Sequence, residues 1–410
     1  MRISTAYRYE SSIANLQDRQ EKLSQSETQL TSGKRVNNAS DDPTAAARAE
    51  RALAAMARSD ANKRSVDASR NVMTITESAL GDSVELLQQA RETLSAAGNG
   101  SYTVNERKSL AIKLREIRNQ LLSIANRADG GGGFVFGGQG SSSPPFVDTP
   151  NGVTFVGQGG ETLASSAEKI NLTVDGEQVW LRGKGGNGLF TTAAGNNILT
   201  GVANTGTGWI NSGAVSSPSQ VPYPAATTPS PSYTIQFHVS AGKTTYDVLE
   251  NGNAMSAGTA YIAGQTINIP ARGMGVTVMG APADGDSFVV NQANNDLNVF
   301  TSLDKAINAL NSTTGVSMQA VNTGLIETDG LLANMQSARS AVGENLNRMD
   351  GIDNRISALK LAAQTERSNA EDLDMTSAIA DFQTKQTGYD AALKSYSMIQ
   401  KLSMFQYING

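Results

Sequence analysis

The sequence predicts an α+β multidomain protein: a long α-helical coiled coil or bundle formed by both chain ends, with an antiparallel β domain inserted between them. The first observation behind this is compositional. Of 40 glycines and 11 prolines in 410 residues, 29 and 10 fall between residues 130 and 288, together with both tryptophans, Trp180 and Trp209. Both residue types are costly inside helices, so long helices belong to the flanks and strands and turns to the middle. The second observation is charge. Residues 1–129 hold 19 basic and 16 acidic side chains and residues 289–410 hold 9 and 13, against 5 and 9 in the middle. Third, apolar residues recur at heptad spacing in the flanks and at a spacing of two in the middle.

In the first flank Leu16, Leu23 and Leu30 repeat every seven residues, with Ile13, Gln20 and Glu27 on the companion seam. This is a coiled-coil period with a partly polar seam. The helix is expected to stop near Gly33. A restart follows at Asp41-Asp42-Pro43, with the acids as caps and Pro43 at the first helical position, where its missing N–H costs nothing. The second helix runs to about Ala97 on the stripe Val66, Met73, Leu80, Leu87 and Leu94. Thr103 and Glu106 then have capping-box spacing. They introduce a third helix carrying Leu110, Leu114, Ile117, Leu121, Ile124 and Ala128.

The second flank answers the first. Val299, Leu303, Ile307 and Leu310 mark a short helix, and the stripe Met335, Ala338, Val342, Leu346, Met349, Ile352, Ile356, Leu359 and Ala363 a long one. In the last segment Ile379, Phe382, Gln386, Tyr389, Leu393 and Tyr396 hold a three-four rhythm, continued by Ile399, Leu402 and Phe405. Between the flanks, Tyr233 to Val239 alternates as a half-buried strand does. Further strands are expected at Tyr246 to Leu249, Ile267 to Ile269, Val276 to Met279 and Phe288 to Val290. The stretch Ile170 to Leu181 around Asp175-Gly176 reads as a two-residue hairpin. Residues 201–232, rich in Pro, Ser and Thr, read as a loop or flexible segment.

Composition removes several kinds of chemistry. Without cysteine there is no thiol nucleophile, iron-sulfur cluster, zinc-thiolate site or disulfide. One histidine, His238, leaves no multi-histidine metal site, and a net charge of −5 argues against nucleic acid. No run approaches the ~20 apolar residues that span a bilayer, and residues 1–12 lack the apolar core of a secretory signal. Gly183-Lys184-Gly185-Gly186-Asn187-Gly188 follows a strand-like stretch, but no acid lies between Glu177 and Asp247 to hold a ribose. It reads as a glycine-rich hairpin or loop, not a dinucleotide site. His238 falls on the polar face of its strand, and Glu371, Asp372 and Asp374 precede a renewed apolar rhythm as helix-start acids do. Neither an enzymatic activity nor a cofactor or metal is expected.

The terminal helices are the informative feature. With Gln20, Glu27 and Gln386 diluting their seams, they bury too little apolar area to be stable alone. They need each other or other copies of the chain, although periodicity also permits a purely intramolecular bundle. The candidate assembly residues are Ile13, Leu16, Leu23, Leu30, Ile379, Phe382, Tyr389, Leu393, Tyr396, Leu402 and Phe405.

Local sequences then point to a family. Leu30-Thr31-Ser32-Gly33-Lys34-Arg35-Val36-Asn37 followed by Ala39-Ser40-Asp41-Asp42-Pro43-Thr44-Ala45 resembles the amino-terminal signature of bacterial flagellins and their hook-associated relatives. Met1 to Thr5, the Gly133 to Gly138 turn leading to Pro144-Pro145-Phe146, Ala338 to Gly343 and the ending Leu402 to Ile408 are similar to the hook-associated members. The resemblance covers both helical flanks; the β insert matches only in general character.

It implies an inner coiled-coil domain of residues 1–42 plus 371–410, a helical bundle of 43–143 plus 289–370, and an outer, variable β-rich domain of 144–288. It also implies a structural subunit of the flagellum that joins the hook, through another hook-associated protein, to the flagellin filament by self-assembly. The implied partners are further copies of itself, that hook-associated protein, flagellin and a cytosolic export chaperone, and the implied route is type III export without a cleaved signal. The alternatives are a flagellin filament subunit and, from another class, a glycan-binding or adhesive module in the insert.

Overall fold

The computed structural model describes residues 5–100, 102–140, 142–160, 171, 173–224, 229–312 and 318–408. Three helices open the chain: α1 (Thr5–Ser32), α2 (Pro43–Ala97) and α3 (Val104–Ala125). A hairpin of β1 (Phe146–Thr149) and β2 (Gly152–Phe155) and a one-turn helix α4 (Gly176–Trp180) follow. Nine strands come next: β3 (Phe190–Ala194), β4 (Trp209–Ile210), β5 (Ala214–Val215), β6 (Tyr233–Ser240), β7 (Lys243–Glu250), β8 (Asn253–Ala260), β9 (Thr266–Ile269), β10 (Met274–Met279) and β11 (Ser287–Gln292). The chain closes with α5 (Val299–Leu310), α6 (Met318–Glu371) and α7 (Met375–Ile408). The fold is thus α+β, helical from both ends with antiparallel sheets inserted. It divides into two compact units, Met1–Arg64 with Gly351–Gly410, and Ser65–Asp350.

In the second unit the heptad stripe of α2 is a core. Val66, Met73, Leu80 and Leu87 are fully buried and Leu94 is 2% exposed, each contributing up to about 1.5–3 kcal/mol of apolar burial. The capping box of α3 is present: Thr103 accepts the Glu106 N–H at 3.3 Å while the Glu106 carboxylate accepts the Thr103 N–H at 2.7 Å. Leu114, Ile117, Leu121 and Ile124 are buried, but the helix ends at Ala125, and Ala128 lies beyond it, exposed. There the Asn126 side chain accepts the Phe146 N–H at 2.9 Å and donates to the Phe146 carbonyl at 2.8 Å, which replaces another helical turn with an anchor for β1.

The hairpin expected over residues 170–181 is not formed. Asp175 accepts the backbone N–H groups of Glu177 (3.0 Å) and Gln178 (3.4 Å) and so starts α4, an N-cap where the Asp-Gly pair suggested a turn. Residues 170 and 172, part of that expectation, lie outside the described residues. The hairpin β1–β2 and α4, which composition grouped with the insert, pack on helices. Trp180 stacks on Phe300 of α5 at 5.8 Å and meets Phe136 edge-on at 5.5 Å, and Phe146 lies 6.2 Å from both Trp180 and Phe300. Buried Arg118 ties this cluster together. It donates to Asp148 of the hairpin at 2.6 and 2.8 Å, pairs with Asp304 of α5 at 2.7 Å, and lies 5.9 Å from the Phe300 ring centre.

The β domain has two sheets sharing one core. One runs β3-β11-β6-β7-β8; the other runs β4-β10-β5, with β9 also on β10. Phe190, Ile235, Phe237, Phe288 and Val290 from the first pack with Ile210, Ile267, Ile269, Val276 and Val278 from the second. Sequence alternation located β6, β7, β9, β10 and β11. It missed β8, whose Asn-Ala-Met-Ser-Ala-Gly-Thr-Ala has no alternation, being the exposed edge. Residues 201–232 are largely loop, as one of the two readings had it, but they also supply β4 and β5 and bury Tyr223, with residues 225–228 outside the described residues. Buried Asp286 organises the turns here. Burial pushes its carboxyl up, but the Asn197 amide and the N–H groups of Thr205, Ala283 and Gly206 outweigh burial and hold it below the usual range.

In α6, Met335, Val342, Met349, Ile352 and Ile356 are buried. Leu359, expected on the same stripe, is 65% exposed, because the stripe continues through the seven-residue step from Ile356 to Ala363 and Leu359 falls off it.

Candidate assembly surface

In the first unit α1 and α7 pack along each other. At Gly388 of α7 the absent Cβ leaves room for the Arg19 guanidinium of α1, which lies 2.8 Å from where that atom would stand. Lys385 of α7 donates to Ser26 of α1 at 2.8 Å and pairs with Asp381 at 2.7 Å. Nearer the chain ends, the rings of Tyr9 and Tyr396 lie 5.6 Å apart, tilted by 42°. Hydrogen bonding to Tyr396, and then to Gln400, holds the Tyr9 hydroxyl below its ordinary pKa.

The base of this pair is a built joint. Gly33 has φ +67°, a left-handed conformation that ends α1 as a helix C-cap glycine does. The chain then forms an antiparallel bridge with the segment before α7: Arg35 N–H donates to the Glu371 carbonyl at 2.7 Å and Leu373 N–H to the Gly33 carbonyl at 3.0 Å. Arg35 also donates to the Ala370 carbonyl at 2.8 Å and to Asp42 at 3.2 Å, while Lys34 pairs with Glu371 at 3.3 Å. Asp41 accepts the N–H groups of Asn37 and Asn38 at 3.0 and 2.9 Å, which ties the loop. Asp42 accepts those of Thr44 and Ala45 at 3.2 and 3.0 Å, with Pro43 opening α2. The Ala45 N–H, then the Thr44 hydroxyl and Arg35, hold the Asp42 carboxyl at about 2. Asp374 does the same for α7 through Thr376 and Ser377. Of the acids that could have suggested a cation site, Glu371 pairs with Lys34, Asp372 accepts the Ser368 hydroxyl and Asp374 caps α7, and no metal-holding group of three exists among the described residues.

Burial separates this pair from the rest. Ile13, Leu16, Leu23, Leu30, Phe382, Tyr389 and Tyr396 are brought to the pair but remain half-buried, while Ile379 and Leu393 are 47% and 41% exposed. Tyr7 and Met398, which the heptad reading passed over, are 67% and 64% exposed. The side chains of Leu402 and Phe405 lie outside those described. Among the described side chains of α1 only Ser26 is buried, and among those of α7 none is. Two helices give each other one face and leave the rest of their apolar surface uncovered.

The remaining candidates are structural. The glycine run 183–188 is a loop held by reciprocal backbone bonds between Gly183 and Leu297 at 2.9 and 3.0 Å, with no helix following it. His238 meets Asp247 across β6 and β7 at 3.1 Å, and Asp247 also accepts the Gly258 N–H at 2.7 Å. No described helix is long and apolar enough to cross a membrane.

Comparison with known proteins follows the same division. Residues 3–141 match the bacterial flagellin N-terminal helical region, and residues 325–408 the bacterial flagellin C-terminal helical region. Flagellar hook-associated protein 3 of Salmonella typhimurium is 24% identical over 406 residues, covering 99% of each chain. The crystal structure of FlgL from Xanthomonas campestris aligns with a TM-score of 0.63 at 26% identity, over 77% of this chain and 99% of that one. Polar flagellin F of Vibrio parahaemolyticus is 28% identical over 116 residues, which is 28% of this chain and 31% of that protein.

Proposed function

This chain belongs to the flagellin family, and from that premise we propose that it is a structural subunit of the flagellar axis at the junction between hook and filament. The observation that carries the reading is the terminal helix pair, joined at a built base yet covered on too few faces. Likeness to a hook-associated protein along the whole chain, against likeness to a flagellin over a limited part, favours the junction over the filament itself.

The work is mechanical. Copies associate through the half-buried faces of α1 and α7, with Leu23, Leu30, Phe382, Tyr389 and Leu393 passing from half-exposed to buried. Residues 1–42 and 371–410 then form the inner part of the assembly, residues 43–143 and 289–370 its helical body, and residues 144–288 the outward part. Another hook-associated protein lies on one side and flagellin on the other. Before assembly the carboxyl-terminal helix is held by a cytosolic chaperone and the subunit leaves through the flagellar export apparatus.

The test is a deletion strain complemented with labelled protein. The expected result is hooks without filaments, flagellin in the medium, and immunogold confined to the hook-proximal end after complementation. Label spread along the filament overturns the junction in favour of a flagellin. Intact filaments in the deletion strain overturn both and turn attention to the β domain, to be tried against a glycan array.

A further inference from the structure

We propose that Tyr9 and Tyr396 form an oxidative modification site, at which hydrogen peroxide and a one-electron oxidant of the haem peroxidase class couple the two rings into a dityrosine and tie α1 covalently to α7. Both helices belong to the first unit, so a single chain holds the whole site. The chain has ten tyrosines, and among the described residues two pairs stand ring against ring. These pairs differ in what coupling requires. Tyr223 and Tyr233 lie 6.5 Å apart, crossed at 71°, and both are buried. The Tyr223 hydroxyl donates to the Pro231 carbonyl and the Tyr233 hydroxyl to Glu250, so the two oxygens are turned to different acceptors. Burial pushes both hydroxyls up, Tyr233 to about 12, which keeps their protons in place.

Tyr9 and Tyr396 meet the opposite conditions. Their ring centres lie 5.6 Å apart and tilted by 42°, Tyr9 is 42% exposed and Tyr396 is half-buried. The Gln400 amide nitrogen lies 3.5 Å from the Tyr9 oxygen and 3.3 Å from the Tyr396 oxygen. One atom thus gathers both hydroxyl ends, and the ring carbons next to those hydroxyls are the ones that phenoxyl radicals join. The Tyr9 hydroxyl, bonded to Tyr396 and then to Gln400, gives up its proton more readily than an ordinary phenol. In the coupling each ring loses one electron and its hydroxyl proton. A carbon–carbon bond forms between the two ortho positions, and the hydrogens on those carbons move to the oxygens and restore both hydroxyls. Hydrogen peroxide takes up the two electrons and two protons and leaves as two waters. Tyr7 is more exposed, at 67%, but among the described side chains no second tyrosine ring lies against it. Two rings held side by side on packed helices react at an effective concentration far above that of dissolved protein, so proximity selects this pair over exposure.

The test treats the dilute full chain with hydrogen peroxide and a haem peroxidase. Dityrosine fluorescence should appear in chains that still run as monomers. Digestion should yield a cross-linked pair of peptides carrying Tyr9 and Tyr396, lighter than their sum by two hydrogens. Tyr9→Phe and Tyr396→Phe keep the rings and should each lower the monomer fluorescence about tenfold, while Tyr7→Phe should leave it unchanged. The coupled chain should begin to lose helical signal at a higher temperature than Tyr9→Phe treated alike, because a covalent tie between distant residues restricts the unfolded chain. Fluorescence confined to covalent multimers, a signal that survives Tyr9→Phe or falls equally in Tyr7→Phe, a cross-link mapped to Tyr223 and Tyr233, or a coupled chain that melts like treated Tyr9→Phe overturns the proposal. None of these outcomes touches the flagellar reading, which the deletion strain decides.

Discussion

Helices α1 and α2 carry the same seven-residue signal, yet their stripes end in different environments. Val66, Met73, Leu80 and Leu87 of α2 are fully buried, whereas Leu16, Leu23 and Leu30 of α1 are half-buried. The difference lies in the number of faces covered. The later part of α2 belongs to a unit that also holds α3, α5 and most of α6; α1 has α7 along it. A heptad repeat thus states that a helix will be covered along one seam, and the surrounding elements decide whether the same chain supplies the whole cover.

The comparison breaks most severely if the terminal pair contributes to the fold as much as to assembly. Removing residues 371–410 should abolish incorporation into the flagellar axis altogether while leaving a second unit that melts cooperatively in calorimetry. A truncated chain that still assembles would end the distinction. Next in size, Leu87→Ala should cost about 2–5 kcal/mol in denaturant unfolding, because it opens a cavity at a fully buried position. The matching change in the other stripe, Leu23→Ala, should cost less in the monomer, about 1 kcal/mol, since part of that surface is already wet. It should nevertheless weaken assembly measurably.

Two smaller effects sharpen the contrast between the units. Arg118→Met should destabilise the second unit by about 2 kcal/mol in urea titration, since Asp148 and Asp304 lose their shared buried partner but remain partly solvated. Asp42→Asn should act in the first unit and depend on pH. Its carboxyl falls to about 2 on folding, so its contribution is complete above the ordinary carboxylate value near 4 and disappears as pH drops through about 2. The melting difference between wild type and Asp42→Asn, followed by circular dichroism from pH 6 down to pH 2, should therefore shrink toward zero.

Those elements whose cause is local could be read in the sequence. The Asp42-Pro43 start of α2, the Thr103–Glu106 box, the heptads of α2 and the alternation of β6 each depend on a few neighbouring residues. One local cause was misread: Asp175-Gly176 became a cap, through N–H groups two and three residues on, instead of a turn. Other elements depended on partners distant in sequence, as β3 does on β11 beside it. The candidate surface shows the same limit. Period located Ile13, Leu16, Phe382 and Tyr389, but the exposure of Tyr7 and Met398 and the bond between Lys385 and Ser26 appear only when α1 and α7 are laid together. The joint was visible as a motif from Gly33 to Pro43, while its other strand, Glu371 to Leu373, read only as acids at the start of the next helix.

That joint has a bearing on load. The bonds from Arg35 to Glu371 and from Leu373 to Gly33 lie side by side between two antiparallel strands, with the Arg35 guanidinium as a third tie on the same stretch. A pull along α1 or α7 reaches these ties together, in shear, and rupture requires them to fail at once instead of unzipping one by one. In a subunit that assembles through its ends, as proposed above, strain on one terminus would be shared by both at this joint.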